Sequence, residues 1–193
     1  MLTLNRPTPN RSPLSPEIKS VPWRDNASWQ SVNLEISRLV DKCPEEIHRL
    51  RALAAHINDS IAAINPALDE LCSYTCPWCP EPCCRAATVW LDLSDLLRLH
   101  LAGPAIPASQ PKIYRGETCR YLGGRGCCLP RACRPWTCTR YICPTQKSWW
   151  RRYAPEKAAF FHRVSAGLQA DLRFIRQEFS RLAAGRTASS GTG

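Results

Sequence analysis

Three stretches of the chain carry apolar residues at every third or fourth position, the spacing that lines one face of an α-helix. In the first, Val32, Ile36, Leu39 and Val40 step along the segment Trp29 to Val40. The second opens at Pro44, where a first helical turn tolerates proline because its N–H has no intrahelical partner, and Glu45 and Glu46 favour that end through the helix dipole. Ile47, Leu50, Ala54, Ile57, Ile61 and Ile64 form its stripe. Pro66 is expected to end or kink this helix before a short helical turn from Ala67 to Cys72. The third stretch starts at Pro155 and runs through Phe161, Val164, Leu168, Leu172, Ile175, Phe179 and Leu182.

A different period appears at ATVWLDL, residues 87–93, which alternates as a strand does. It leads into a short helix, SDLLRLHLAG, with Asp92 or Ser94 as N-cap and Gly103 as its stop. Pro104, Pro107 and Pro111 then mark a loop. From 112 to 153 no long period survives; Cys, Gly, Arg and aromatic residues crowd there, as expected where a metal centre organises the backbone. Residues 1–27, with Pro7, Pro9, Pro13, Pro16 and Pro22 among polar side chains, read as a disordered arm, and 185–193 as a flexible tail. The expected fold is therefore mainly α: N-terminal helices, a long C-terminal amphipathic helix, and a small irregular α+β cysteine-rich metal-binding region at 72–145 inside a single domain, 28–184.

Composition changes this picture in two ways. A chain of 193 residues buries a core without covalent help, so its twelve cysteines are not obligatory staples. The N-terminus lacks the apolar centre of a secretory signal, and no uncharged apolar run reaches the ~18 residues needed to span a bilayer. The expected location is the cytoplasm, with no membrane partner; there thiols stay reduced, and clustered cysteines read as metal ligands or catalytic groups. The net charge of +10 raises the question of nucleic acid. Between Lys112 and Arg152, however, ten basic residues and one acid, Glu117, share the stretch with six cysteines. Eight ionised thiolates holding two divalent ions would contribute about −4, so part of the basic excess reads as counter-charge. What remains supports a secondary alternative, a basic nucleic-acid-binding module with a structural zinc site. Its best local feature is Trp149-Trp150 ahead of Arg151-Arg152; the competing reading of those tryptophans is an aromatic cap under the last helix.

The candidate chemistry lies in two cysteine groups: Cys72, Cys76, Cys79, Cys83 and Cys84, then Cys119, Cys127, Cys128, Cys133, Cys138 and Cys143. Two ligands separated by two residues can curl around one metal ion, and the halves of such a site usually come from distant segments. A C-x-x-C at Cys76–Cys79 and a C-x4-C at Cys138–Cys143 fit that scheme. Radical-SAM chemistry at Cys72, Cys76 and Cys79 lacks the barrel-sized chain that must follow. Thioredoxin chemistry at Cys76–Cys79 lacks the strand–turn–helix frame, and a ferredoxin run fails because three residues, not two, separate Cys79 from Cys83. Cys43 stands apart and reads as a small buried hydrophobe, and His48, His56, His100 and His162 are scattered along helices as surface or core residues. No Ser/His/Asp set, paired carboxylate or phosphate-binding loop stands out, so a substrate site has no named residue.

The run CPWCPEPCCR, followed by LSDLLRL and then CRYLGGRGCCLPRACRPWTCTRYIC, resembles the YkgJ-like cysteine-cluster family, a zinc- or iron-chelating domain. The resemblance spans about residues 72 to 145. It implies a metal or iron–sulfur centre held by Cys76, Cys79, Cys83, Cys84, Cys119, Cys127, Cys138 and Cys143, with Arg134-Pro135 as a companion pair. Two departures stand out: one extra residue precedes Cys83, and Thr139 follows Cys138 where the family has arginine. Cys72, Cys128 and Cys133 lie outside the implied set. The cofactor is expected to be an iron–sulfur cluster or zinc, serving electron transfer, sensing or structure. A third alternative, also implied by the resemblance, is an accessory or catalytic iron–sulfur domain related to protein lysine methylation; a protein partner is compatible with each.

Overall fold

The computed structural model describes residues 21–189 apart from Cys43, Trp78, Pro104, Arg115 and Arg125. Most of the expected arm, residues 1–20, and the tail residues 190–193 lie outside the described residues, as does Cys43. Of residues 21–27, grouped with the arm above, the first are packed: Val21 is buried, and the carbonyl of Pro22 accepts a hydrogen bond from the Gln110 amide at 2.9 Å, whereas 24–27 are exposed and run into α1.

Seven α-helices and one small hairpin are present among the described residues: α1 (Asn26–Lys42), α2 (Pro44–Thr75), α3 (Cys83–Ala86), α4 (Leu93–Ala102), β1 (Leu122–Gly123), β2 (Gly126–Cys127), α5 (Trp136–Arg140), α6 (Pro144–Tyr153) and α7 (Pro155–Ser189). The fold is mainly helical, with a two-stranded antiparallel sheet and a long C-terminal helix, in agreement with the sequence pattern. No helix among the described residues is long and apolar enough to cross a membrane.

The predicted stripes face one another. Ile36 and Val40 of α1, Ile47 to Leu71 of α2, Leu96, Leu97 and Leu99 of α4, and Phe161 to Phe179 of α7 form one buried cluster. Helix α2 is its centre and packs on both α4 and α7. It does not end at Pro66. Proline in a helix interior removes one i→i−4 hydrogen bond and costs ~3 kcal/mol. Burial of Ile57, Ile61 and Ile64 before it and Leu68 and Leu71 after it, each worth ~1.5–3 kcal/mol, outweighs that loss. The uninterrupted helix carries Cys72 to the edge of the bundle.

Helix α4 is built as its sequence prescribes. Asp92 is the N-cap and, with Asp95, completes a reciprocal capping box; Gly103 stops the helix at φ 87°, a left-handed conformation that glycine adopts without a Cβ penalty. The strand expected at 87–93 is absent. Residues 87–92 have no strand partner, Leu93 already opens α4, and Gln110 binds Leu91 instead. Its Oε1 accepts from Leu91 N at 2.8 Å and its Nε2 donates to Leu91 O at 2.9 Å. One side-chain amide thus satisfies the backbone groups that a ladder would have paired.

Helix α6 was not legible as a period. Helix α6 begins at Pro144, capped by Cys143 and Gln146, and places Trp150 against Phe161 with ring centroids 5.1 Å apart. Trp150 is therefore core, and Trp149 stacks on Tyr74 at 4.9 Å. At the other end, α7 continues past Gly185, where a tail was expected, as far as Ser189.

Candidate metal centre

Four local devices bring the cysteines to one edge of the bundle. The last turn of α2 carries Cys72, Cys76 follows directly after the helix with its N–H donating to Cys72 O at 2.9 Å, and the chain then tightens so that Cys79 N donates to Cys76 O at 3.1 Å. Pro82 opens α3, whose first turn holds Cys83 and Cys84. The hairpin pairs Leu122 with Cys127 and turns through Gly126 at φ 107°. Helices α5 and α6 supply Cys138 and Cys143, the latter as an N-cap. The two sequence groups meet directly: Cys119 N donates to Cys84 O at 2.9 Å across thirty-odd intervening residues.

The thiols fall into two sets. Cys83, Cys84, Cys119, Cys127 and Cys138 influence one another electrostatically. The Cys84 thiol donates to Cys83, which holds Cys83 down at about 6 and pushes Cys84 far up. Burial raises Cys119, and burial together with the charges of Cys119, Cys127 and Cys83 raises Cys138 to about 12. In the second set Cys76 is raised to about 11 by burial and by the charge of Cys72. Its centre is Gln146, buried at the start of α6. Gln146 Nε2 lies 3.7 Å from Cys72 Sγ and 3.6 Å from Cys76 Sγ, its Oε1 accepts from Cys143 N at 3.1 Å, and its own N–H donates to Cys143 Sγ at 3.5 Å. Burial and neighbouring sulfurs thus oppose ionisation of Cys76, Cys84, Cys119 and Cys138, the condition that a bound cation reverses by taking thiolates as ligands.

Cations sit beside both sets. Lys112 has 0% of its surface exposed, yet its ammonium has no carboxylate partner among the described residues. It donates to Arg85 O at 3.2 Å and to Ala87 O, one and three residues beyond the vicinal cysteines, and its charge favours the thiolate forms of Cys83 and Cys119. Arg131 lies 4.0 Å from Cys72 Sγ while pairing with Asp69 of α2. Arg98, also fully buried, braces the backbone leading to Cys138: it donates to Asn58 Oδ1 at 2.9 Å, Ala132 O at 2.6 Å and Arg134 O at 3.1 Å. Asp95 adds a hydrogen bond from Trp136 N at 2.8 Å.

Of the implied ligands, Cys83, Cys84, Cys119, Cys127 and Cys138 are gathered in one set, and Cys76 and Cys143 in the other. Cys79 is exposed one turn beyond Cys76. Cys72, outside the implied set, joins Cys76 and Cys143 at Gln146. Cys133 is buried next to Arg98, and Cys128 is exposed over Gly123, where a Cβ would lie 2.5 Å from its sulfur. Among the described residues no three His, Cys, Asp or Glu side chains stand close enough, as placed, to hold a metal ion. The donor chemistry nevertheless fits a thiophilic metal: reduced sulfurs in sets, with buried positive charge that lacks a carboxylate. A groove of about 460 Å³ is lined by Glu45, Arg49, Phe174 and Arg181, at the opposite end of α2 from the cysteines.

Lys112, Arg98 and Gln146 carry no signature of their own in the sequence, although the Cys143-Pro144-x-Gln146 spacing repeats that of a capping box and announces the start of α6. A scan against protein-family models and searches of curated proteins and of solved structures find no match for this chain.

Proposed function

We propose that this protein binds an iron–sulfur cluster or zinc through its clustered cysteines, as a metal-binding protein of the reducing cytosol. The observation that carries the reading is Lys112. A fully buried ammonium costs several kcal/mol unless an anion compensates it, and the groups at hand are the thiols of Cys83 and Cys119 rather than a carboxylate. Cys83, Cys84, Cys119, Cys127 and Cys138 are the residues that would hold the metal nearest to Lys112. The cysteine pattern that resembles the YkgJ-like family supports the same reading without carrying it. A cluster would supply one-electron transfer, zinc a structural cross-link; the chain's own residues brace the ligands through Arg98 and exclude water by burying Cys119.

Anaerobic purification followed by metal and acid-labile sulfide analysis tests this reading. Iron with sulfide, and a visible band that bleaches with dithionite, identifies a cluster; zinc without sulfide identifies the other metal. Replacing Cys119 and Cys138 together by serine is expected to remove metal. Oxygen-protected wild-type protein free of both transition metal and sulfide sinks the reading.

A further inference from the structure

A second cleft, of about 230 Å³, opens at the start of α4 and is lined by Asp92, Ser94, Trp136, Thr137, Arg173 and Arg176. Sites for drug-sized ligands begin at ~300 Å³, so this one suits a small ion with its waters. Its charges are unbalanced. Arg173 and Arg176 stand three residues apart on one face of α7, both exposed and neither paired with a carboxylate among the described residues. Against them is one carboxylate, Asp92, whose Oδ1 accepts from Asp95 N at 3.0 Å. Two exposed arginines alone would be a solvated helix face; Ser94 makes the difference. It is only 6% exposed, it borders the cleft, and its hydroxyl has no hydrogen-bond partner among the described residues. A buried hydroxyl without a partner is costly, and native proteins rarely leave one so. The capping box takes up Asp95 N but leaves the N–H groups of Leu93 and Ser94, in the same first turn, without an intrahelical acceptor. Trp136 Nε1 is likewise buried without a partner.

We propose that this cleft binds inorganic phosphate, with Ser94, Arg173 and Arg176 as donors and Asp92 as the residue that selects the anion. The guanidinium groups supply charge-assisted hydrogen bonds, and the positive end of α4 favours negative charge beside the Ser94 hydroxyl. Asp92 sets the specificity. A carboxylate repels an oxyanion that carries no proton but accepts a hydrogen bond from one that does. Inorganic phosphate keeps a P–OH group at neutral pH, whereas sulfate is fully ionised. A phosphate monoester, which loses its second proton near about pH 6, has little left to donate at pH 7.5. The small volume works in the same direction, against any phosphate attached to a bulky group. The site uses no thiol and stands independently of the metal reading, although α5, which brings Thr137 to the cleft, also carries Cys138.

The test is calorimetric titration of the full chain with sodium phosphate at pH 7.5 and fixed ionic strength, repeated with sulfate and with glycerol phosphate. Phosphate is expected to bind saturably, one per chain, and the other two anions ~10-fold or more weakly, the loss of about one hydrogen bond to a charged group. Arg173→Gln with Arg176→Gln is expected to weaken phosphate binding ~10-fold or more while leaving the helical signal intact, since both side chains are exposed. Asp92→Asn keeps a residue that caps helices well and adds an N–H donor, so it is expected to raise sulfate affinity toward that of phosphate. Absence of saturable phosphate binding by the wild type overturns the proposal. So does phosphate affinity unchanged in the double arginine variant, or sulfate bound by the wild type as tightly as phosphate.

Discussion

Single buried charges mark the candidate centre more sharply than the cysteines do. Asp95 is nearly without exposed surface; burial, reinforced by the charge of Asp92, raises its carboxyl to about 7 against the pull of Arg98 at 3.9 Å and of the Trp136 N–H. The folded protein therefore keeps a proton on Asp95 between about pH 4 and 7 that the unfolded chain releases. The sign follows: the group's contribution to stability is complete below its unfolded value and is lost as the pH rises through about 7. Metal–thiolate bonds depend on pH in the opposite sense, since acid competes for the ligands. Asp95→Asn retains an oxygen for Trp136 N and cannot ionise, so the difference between wild type and variant isolates Asp95. In urea unfolding at pH 5 and pH 7.5, wild-type stability relative to Asp95→Asn is expected to fall at the higher pH; parallel pH profiles would disprove the shift.

At the scale of elements, the sequence was most legible where a helix had one wet face. The stripes of α2 and α7, the Asp92 cap and the Gly103 stop were all written in local spacing. Of the two outcomes expected at Pro66, the helix end does not occur, because the cost of proline is local while the packing that offsets it runs from Ile57 to Leu71. The alternation at 87–93 misled for a related reason. Alternation reports which faces are buried, but a strand also needs a partner, and here Gln110, nineteen residues beyond Leu91, supplies one amide in place of a ladder. The cysteine groups were legible as groups. Their division into two sets was not, because Cys143 joins Cys72 only through the α6 start and the amide of Gln146. Gln110 carries a direct prediction. Gln110→Leu strands Leu91 N, Leu91 O and Pro22 O, and each buried group left unsatisfied costs ~1–3 kcal/mol. The variant is expected to lose at least ~2 kcal/mol in chemical denaturation. A loss below ~0.5 kcal/mol would show that water replaces the amide there.

The molecule as a whole distributes its apolar packing unevenly. The buried cluster is drawn from α1, α2, α4, α6 and α7; among the described residues, 112–143 contributes only Trp136 and Ile142 to it. That segment, with a two-residue-per-strand hairpin and the five-residue α5, is otherwise held by side chains reaching from the bundle: Arg98 to Ala132 O and Arg134 O, Asp95 to Trp136 N, Asp69 to Arg131. Such a segment opens without melting the helices beneath it, since local opening follows the sparseness of buried apolar contacts. If metal bridges the thiols, its removal frees this region first. Incubation with a strong chelator under reducing conditions is therefore expected to speed tryptic cleavage after Arg120, Arg131 and Arg140, while the far-ultraviolet helical signal, dominated by α2 and α7, changes little. Cleavage rates at those sites that ignore the chelator would mean that sulfur ligation contributes nothing to holding 112–143. Helical signal lost in step with the metal would mean that bundle and cysteine edge form one cooperative unit, with the metal as part of the core.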